Sequence, residues 1–128
     1  MKPQDTVNDE RSYFKEEVLR LRMILDKIKE APASFVLFDE ILRGTNSEDK
    51  RNGTRAFLMG LVEKKVRGVI ATHDIEIAEV SQESPGLFST YFFESTFHEG
   101  ELRFDYVLRQ GVCRTPNAIQ LLKSHGII

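Results

Sequence analysis

The segment from Ser34 to Glu40 has the sequence Ser-Phe-Val-Leu-Phe-Asp-Glu and constrains the fold more than any other part of the chain. Four consecutive apolar residues are typical of a strand buried on both faces, because a half-exposed strand would alternate polar and apolar residues. The strand ends at two acids, Asp39 and Glu40. Such a pair suits a magnesium–nucleotide site, in which one carboxylate holds the metal and the other polarises a water. Alternatively, Asp39 only ends the strand and caps the next turn.

Composition narrows the classes of protein that the chain can belong to. Its 128 residues are 41% hydrophobic and 30% charged, which predicts one soluble globular domain. A net charge of -2 gives no electrostatic reason for this segment itself to bind nucleic acid or membrane. The single cysteine, Cys113, excludes an internal disulfide and a four-cysteine zinc site. With no apolar run near the ~20 residues of a membrane span and no signal peptide, the expected compartment is the cytoplasm.

The amino-terminal part predicts one amphipathic helix. Residues 1–11 are polar, and we expect them to form a flexible tail. From Ser12 onwards, apolar residues recur at spacings of four and three, as on one face of a helix. Ser12 is the expected N-cap of this helix, and Pro32 is expected to end it. The apolar positions are Phe14, Val18, Leu21, Leu25 and Ile28.

A second helix is predicted between the acid pair and the next strand. Asn46 or Ser47 can cap it, and it should run to about Val66. Residues Val69–Thr72 then form a short strand, and a strand–helix–strand unit of this length makes a right-handed crossover with parallel strands. Glycines cost helix stability, so we expect close packing against a sheet on the helix face that carries Gly53, Phe57 and Gly60.

The second strand leads into Thr72-His73-Asp74. Parallel strands bring their carboxyl ends to one edge of a sheet, and ligands bind in the crevice there. We therefore expect His73 to lie close to Asp39 and Glu40. Considered alone, His73 could instead be a helix-capping histidine beside Asp74.

The carboxyl-terminal part predicts a hairpin between helices. A helix is expected over residues 75–81, followed by strands Tyr91–Phe97 and Glu101–Arg109 that form an antiparallel hairpin and extend the sheet. Thr115–Pro116 is the expected start of a last helix, which Gly126 ends. Alternation in the second strand predicts one buried face made of Leu102, Phe104, Tyr106 and Leu108.

The chain contains, in this order, the segments Phe35–Glu40, Arg43–Asn46 and Ala71–His73. Together they resemble the carboxyl-terminal ATPase domain of the MutS family of DNA mismatch-repair proteins, over nearly the whole chain. The resemblance implies that the acid pair is a Walker B motif, that residues 44–47 are a D-loop, and that His73 is the switch histidine of ABC-type ATPases. It also implies that Ser12–Phe14, with the glutamates that follow, is the signature segment that meets nucleotide across a dimer.

The same resemblance implies a role for each site residue. Asp39 would orient Mg²⁺, Glu40 would orient or deprotonate the attacking water, and His73 would contact the γ-phosphate of ATP. A homodimer would form through the ATPase domain, and DNA would be bound by domains outside these residues. Ser12 could serve as a helix cap and a phosphate ligand at once. The nucleotide contacts are assigned to Ser12, Asn46 and Ser47.

Two features depart from the family pattern. No Gly-x-x-x-x-Gly-Lys phosphate loop, the Walker A motif, occurs in these residues, so we expect a carboxyl-terminal fragment or a truncated gene product that is inactive by itself. The segment Gly111–Asn117 differs from the Ser-Tyr-Gly segment of better-known members and indicates a divergent branch. The expected fold of residues 12–128 is an α/β, three-layer, P-loop NTPase-like (ABC-type) half domain. It has a mainly parallel sheet, a carboxyl-terminal antiparallel hairpin and flanking helices.

Two other functions are compatible with these residues. The chain could be a non-catalytic module for dimerisation or partner binding, in which the fold supplies only a surface. It could also be the head of another ABC-type ATPase, such as a chromosome-maintenance protein. The run Leu42–Asn46 argues against that second alternative.

Overall fold

Helices and strands alternate along the first half of the chain, and a hairpin followed by a helix ends it. The computed structural model describes residues 3–114 and 117–128. The chain folds as two units, Met1–Ile77 and Ala78–Ile128. The helices are α1 Pro3–Glu30, α2 Ser47–Glu63, α3 Ile75–Ala78, α4 Val80–Glu83 and α5 Asn117–Ser124. The strands are β1 Phe35–Asp39, β2 Arg67–Ala71, β3 Tyr91–His98 and β4 Glu101–Gln110.

Strands β1 and β2 pair in parallel, with Phe35 opposite Arg67 and Asp39 opposite Ala71. The pairing continues one residue further, because the backbone N–H of Glu40 donates to the carbonyl oxygen of Ala71 over 2.9 Å. The predicted α/β unit with two parallel strands is therefore confirmed. The sheet has only these two strands among the described residues, so it is smaller than the mainly parallel sheet that we expected.

The two faces of β1 differ in burial. Phe35 and Leu37 are 61% and 75% exposed. Phe38 lies on the opposite face and packs edge-on against Phe57 of α2, with ring centroids 5.6 Å apart. The prediction of a strand buried on both faces is therefore wrong for the described residues. The cause is the two-residue period of a strand, which sends alternate side chains to opposite faces, and Phe57 covers only the Phe38 face.

Helix α1 begins at Pro3, nine residues earlier than the start predicted at Ser12. The segment expected to be a flexible tail is thus helical from Pro3 onwards, and Ser12 is inside the helix rather than at its N-cap. Neither glycine nor a second proline occurs between Pro3 and Glu30, so nothing in the sequence breaks the helix there. Proline itself suits the first helical position, because its missing N–H would have no partner at that place.

Helix α2 begins as predicted and ends three residues early. Asn46 is its N-cap, and the side-chain Oδ1 accepts a hydrogen bond from the backbone N–H of Asp49 over 2.9 Å. The backbone of Gly53 is closely packed, since an added Cβ would lie 2.7 Å from a methyl carbon of Leu42, but Leu42 belongs to the loop after β1 and not to the sheet. The prediction of close packing is wrong at Gly60, where an added Cβ would meet nothing within 4 Å. The buried apolar residues of the first unit, Met1–Ile77, are Ile28, Ile41, Leu42, Leu58, Leu61 and Ile77.

The hairpin of the second unit is confirmed as an antiparallel pair of β3 and β4. Both residues of its tight turn, Glu99 and Gly100, have a positive φ, as a type I′ turn requires. The pair is a separate two-stranded sheet, so the prediction that it extends the β1–β2 sheet is wrong. Helix α5 docks on it through Asn117, whose Nδ2 donates to the carbonyl oxygen of Ser95 over 2.7 Å.

The predicted buried face of β4 is also wrong for the described residues. Phe104, Tyr106 and Leu108 are 54%, 82% and 57% exposed. The register shifts between Phe93 and Ser95 on β3, and Tyr106 has a φ of 57°. Consecutive residues 103–108 are all exposed, so neither face of this part of β4 is covered by other described residues.

The remaining helices are short. The helix expected over residues 75–81 is divided into α3 and α4. Thr115–Pro116, the predicted start of the last helix, lies outside the described residues, whereas Gly126 follows α5 with a φ of 65°, as expected for a residue that ends a helix. None of the helices in the described ranges is long and apolar enough to span a bilayer.

Candidate functional site at the carboxyl ends of β1 and β2

The parallel register brings three predicted site residues to one edge of the sheet. Asp39 is the last residue of β1, Glu40 follows it, and His73 lies two residues after the end of β2. Because Asp39 pairs with Ala71, the chain leaves both strands at the same level. The expected proximity of Glu40 and His73 is therefore a direct result of the strand pairing.

The Glu40 carboxylate is held on both oxygens. Its Oε2 accepts a hydrogen bond from Lys50 Nζ over 2.6 Å. Its Oε1 accepts one from the backbone N–H of His73 over 2.7 Å and lies 2.9 Å from the ring Nδ1 of the same residue. The hydroxyl of Thr72 is a further donor to the carboxylate. Only 11% of the Glu40 side chain is exposed, so these donors replace water around the charge.

These contacts keep Glu40 ionised. Burial acts to raise the pKa of Glu40, but the hydrogen bonds from Lys50, the His73 backbone and Thr72, with the charge of His73, outweigh it and lower the pKa to about 2. A carboxylate with so low a pKa takes up protons poorly at neutral pH. The charged carboxylate remains a hydrogen-bond acceptor.

His73 combines a fixed backbone with an open ring. Its side chain is 87% exposed even though its Nδ1 faces Glu40. The helix-capping role that we considered for His73 is taken by its neighbour, since the backbone N–H of Glu76 donates to Asp74 Oδ1 over 3.0 Å. The His73 ring therefore lies between the Glu40 carboxylate and the solvent.

Asp39 presents an exposed side chain at the end of β1. Its carbonyl oxygen accepts a hydrogen bond from Arg43 Nη2 over 3.0 Å, and this contact fixes the turn that follows the strand. Among the described residues, no group of three or more His, Cys, Asp and Glu side chains is arranged to hold a metal ion. A single carboxylate still fits Mg²⁺ at a nucleotide site, because Mg²⁺ there takes one or two protein carboxylates together with phosphates and waters.

The loop after Glu40 is anchored at both ends. Glu40 and Leu42 have φ values of 50° and 57°, a left-handed conformation that non-glycine residues rarely adopt. Leu42 is only 8% exposed, so its side chain anchors this strained backbone in the core. At the other end, Asn46 uses both polar atoms of its side chain on Asp49, because its Nδ2 donates to Asp49 Oδ2 over 2.6 Å. Ser47 follows with an exposed side chain.

Helix α1 approaches this loop closely at Gly44. A Cβ on Gly44 would lie 2.9 Å from the backbone N and Cα of Phe14. Only a glycine permits this separation, because Cβ atoms essentially never come so near to backbone atoms. The predicted signature segment and the predicted D-loop are therefore in contact within one chain.

A cavity of about 250 Å³ lies between α1 and the carboxyl end of β1. One carboxylate oxygen of Glu17 is buried there without a hydrogen-bond partner among the described residues. The α1 residues that line the cavity begin at Tyr13, and Ser12 is exposed within the helix. The cavity lining combines apolar side chains with polar ones, and the polar ones include Tyr13, Glu17, Arg20, Asp39 and Glu40.

Two residues of the site were missed by the sequence reasoning. Lys50 and Thr72 both donate to Glu40, and neither was a candidate. Lys50 did carry a signal, because a lysine close to the positive end of a helix is electrostatically unfavourable unless an acid neutralises it. Thr72 carried none, since a threonine at the end of a strand is common.

The sequence is similar to known proteins over nearly its whole length. Residues 1–127 match the family model of MutS domain V. Over 124 residues the chain is 29% identical to the DNA mismatch repair protein MutS 2 of Haloarcula marismortui. This matched region is 96% of the present chain and 13% of the length of that protein. Over 122 residues it is 30% identical to the DNA mismatch repair protein MSH3 of Arabidopsis thaliana, with coverage of 88% and 11%. The chain thus spans a small part of each relative's length. It belongs to the MutS family, and it corresponds to the carboxyl-terminal part of domain V, the family's ATPase domain.

Proposed function

We propose that this chain supplies the water-orienting half of an ATP-hydrolysing site in a DNA-acting protein of the MutS family. The observation that carries this proposal is the ionised Glu40 carboxylate, held by His73 at the shared carboxyl edge of two parallel strands. Ligands bind at this edge in open α/β sheets. On this proposal, the two parallel strands are part of a larger, three-layer P-loop NTPase-like sheet.

Glu40 orients the attacking water in this proposal. Its pKa of about 2 keeps the carboxylate charged, so the side chain acts mainly as a hydrogen-bond acceptor that aligns the water. This narrows the two roles that the resemblance allowed, which were orientation and deprotonation. In phosphoryl transfer such positioning supplies most of the catalysis, since the transition state needs little covalent help.

His73 links the water-orienting residue to the phosphate. The ring Nδ1 of His73 lies 2.9 Å from Glu40 Oε1, which leaves the second ring nitrogen, Nε2, for an anionic oxygen. The 87% exposure of the side chain leaves that second nitrogen accessible. Asp39 is the residue that would hold Mg²⁺, which neutralises charge on the phosphates when it is bound.

The remaining proposed contacts involve the nucleotide of a second subunit. Ser47 is exposed at the first position of α2, whereas Asn46 already uses both side-chain polar atoms on Asp49. Ser12, exposed within α1, would meet a nucleotide held by the partner in a homodimer. Contact with DNA is assigned to other domains, since the net charge of this chain is -2.

The proposal is tested with the protein encoded by the complete reading frame that contains these residues. Magnesium-dependent ATP hydrolysis should be measurable and should fall on the order of a hundredfold in Glu40→Gln, as for loss of a positioned catalytic group. Glu63→Gln, which neutralises an exposed acid at the end of α2, is the matched control and should leave turnover unchanged. Hydrolysis that is absent, or equal in Glu40→Gln and wild type, would favour the alternative of a non-catalytic dimerisation module.

A further inference from the structure

Both oxygens of the Glu40 carboxylate already accept hydrogen bonds within this chain. Lys50 Nζ donates to Oε2, and the backbone N–H of His73 donates to Oε1. The ring Nδ1 of His73, 2.9 Å from Oε1, and the hydroxyl of Thr72 also stabilise the charge. Because only 11% of the Glu40 side chain is exposed, a water that is to be oriented by Glu40 needs a position that one of these groups now occupies or covers.

The donors differ in how easily they can leave. The N–H of His73 belongs to the backbone that follows β2, and the Thr72 oxygen is fixed by a hydrogen bond that it accepts from the backbone N–H of Asp74 over 3.0 Å. Lys50 is different, because its ammonium group is carried on a flexible four-carbon side chain. It also comes from another element, α2, and not from the end of β2. Lys50 is therefore the donor that can be displaced with least change in the fold.

The connection between Glu40 and Lys50 contains strained backbone. Glu40 and Leu42, with φ values of 50° and 57°, lie in the loop that leads directly into α2. Non-glycine residues in this conformation cluster at switch regions and persist only while their surroundings hold them. A movement of this loop that relaxes the strain would carry the start of α2, and Lys50 with it, relative to the carboxylate.

We propose that Lys50 is a positioning residue that holds Glu40 in a water-excluding orientation, and that hydrolysis requires Lys50 Nζ to leave Glu40 Oε2. This inference depends on the proposed ATPase function and extends it to control of the same site. The ion pair is well shielded, with 18% of the Lys50 side chain and 11% of the Glu40 side chain exposed. It is therefore stronger than a pair on the open surface.

The test compares Lys50→Met with wild type in the protein made from the complete reading frame. We expect kcat for ATP to rise about tenfold while KM changes less than about twofold, because a water-accepting orientation that was a minor state becomes the main one. Lys50→Arg, which keeps the charge, should retain the low wild-type turnover. Lys50→Gln, which removes the charge but keeps a polar group, should change kcat in the same direction as Lys50→Met.

Two controls separate this inference from simpler effects. Lys29→Met removes a lysine from an exposed pair with Asp26 on α1 and should leave kcat unchanged. Adding Glu40→Gln to Lys50→Met should abolish the gain, because the gain depends on the released carboxylate. Damage to the fold would lower turnover, so a rise in kcat cannot come from misfolding.

The outcomes that overturn the two proposals differ. Hydrolysis that depends on Glu40 but is equal to or below the wild-type rate in both Lys50→Met and Lys50→Gln overturns the role of Lys50 alone. Hydrolysis that does not depend on Glu40 in any of these proteins overturns the proposed function, and the inference with it.

Discussion

The backbone N–H of His73 donates a hydrogen bond to Glu40 Oε1 over 2.7 Å, although 33 residues separate the two in sequence. The ring Nδ1 of His73 adds a second approach to the same oxygen at 2.9 Å. This relationship depends on the parallel register that places Asp39 opposite Ala71, because a shift by one residue would move His73 away from the carboxylate. The acid and the histidine thus form one unit at the sheet edge.

Neutral substitutions of Asp39 and Glu40 should have different effects on ATP binding and on turnover. We expect Glu40→Gln to retain ATP binding and to lose turnover on the order of a hundredfold, since only the orientation of the water is lost. Asp39→Asn should weaken magnesium-dependent ATP binding, because it removes the charge of the carboxylate that we propose as the metal ligand. The two effects are distinguished by measuring equilibrium binding of labelled ATP with and without Mg²⁺, together with steady-state turnover, for each variant. Identical effects of both substitutions on binding and turnover would contradict this division of roles.

Ser12→Ala should leave stability nearly unchanged. Ser12 is exposed inside α1 rather than at its N-cap, and alanine is a better helix former, so no capping energy is lost. We expect lower turnover in the homodimer with nucleotide affinity at a single site retained. Mixing Ser12→Ala with Glu40→Gln subunits should restore part of the activity, since one of the two composite sites then carries neither substitution. Heterodimers that form but recover no activity would assign Ser12 no contact across the interface.

Gly44→Ala should destabilise the protein by about 1–3 kcal/mol, as overpacking of a tight contact does. The new Cβ would lie 2.9 Å from backbone atoms of Phe14, which cannot move aside as a flexible side chain could. Gly60→Ala is the matched control, because its Cβ would meet nothing within 4 Å inside α2. That control should gain up to about 1 kcal/mol from helix propensity. Urea denaturation measures both changes, and equal stability of the two variants would argue against the close contact of loop and α1.

The charge of Glu40 should make stability depend on acid pH. Burial opposes the charge, but the hydrogen bonds from Lys50, His73 and Thr72 lower the pKa of Glu40 from 4.5 to about 2 in the folded protein. A carboxyl with a lowered folded pKa stabilises the protein above its unfolded pKa, and this stabilisation is lost as the pH falls towards the folded pKa. The difference in free energy of unfolding between wild type and Glu40→Gln should therefore shrink between pH 4.5 and about 2. A difference that stays constant or grows over this range would contradict the assignment.

The sequence was sufficient to predict the strand pairing that brings Asp39, Glu40 and His73 to one edge. An apolar run that ends in Asp39 and Glu40, a helix capped by Asn46 or Ser47 and a second strand before His73 together predict a parallel pair, and that pairing is observed. These predictions succeeded because strand type and capping are set mainly by nearby residues.

Burial and long-range contacts were harder to predict. The exposure of Leu37 depends on which elements cover each face of the sheet, and the start of α1 depends on the absence of any residue that would break it. Lys50 was missed because it lies ten positions after Glu40, beyond a loop with strained backbone. The periodic patterns of helices and strands do not predict a contact across such a loop. Tertiary contacts of this kind override local preference.

The claim that Glu40 and His73 act as one catalytic unit is tested most directly by a double-mutant cycle on ATP turnover. The four proteins are wild type, Glu40→Gln, His73→Ala and the double variant, with His98→Ala in the hairpin as the control histidine. Residues that act as a unit show strongly non-additive losses, so the double variant should be about as slow as the slower single variant. A double variant whose loss equals the product of the two single losses would contradict the account.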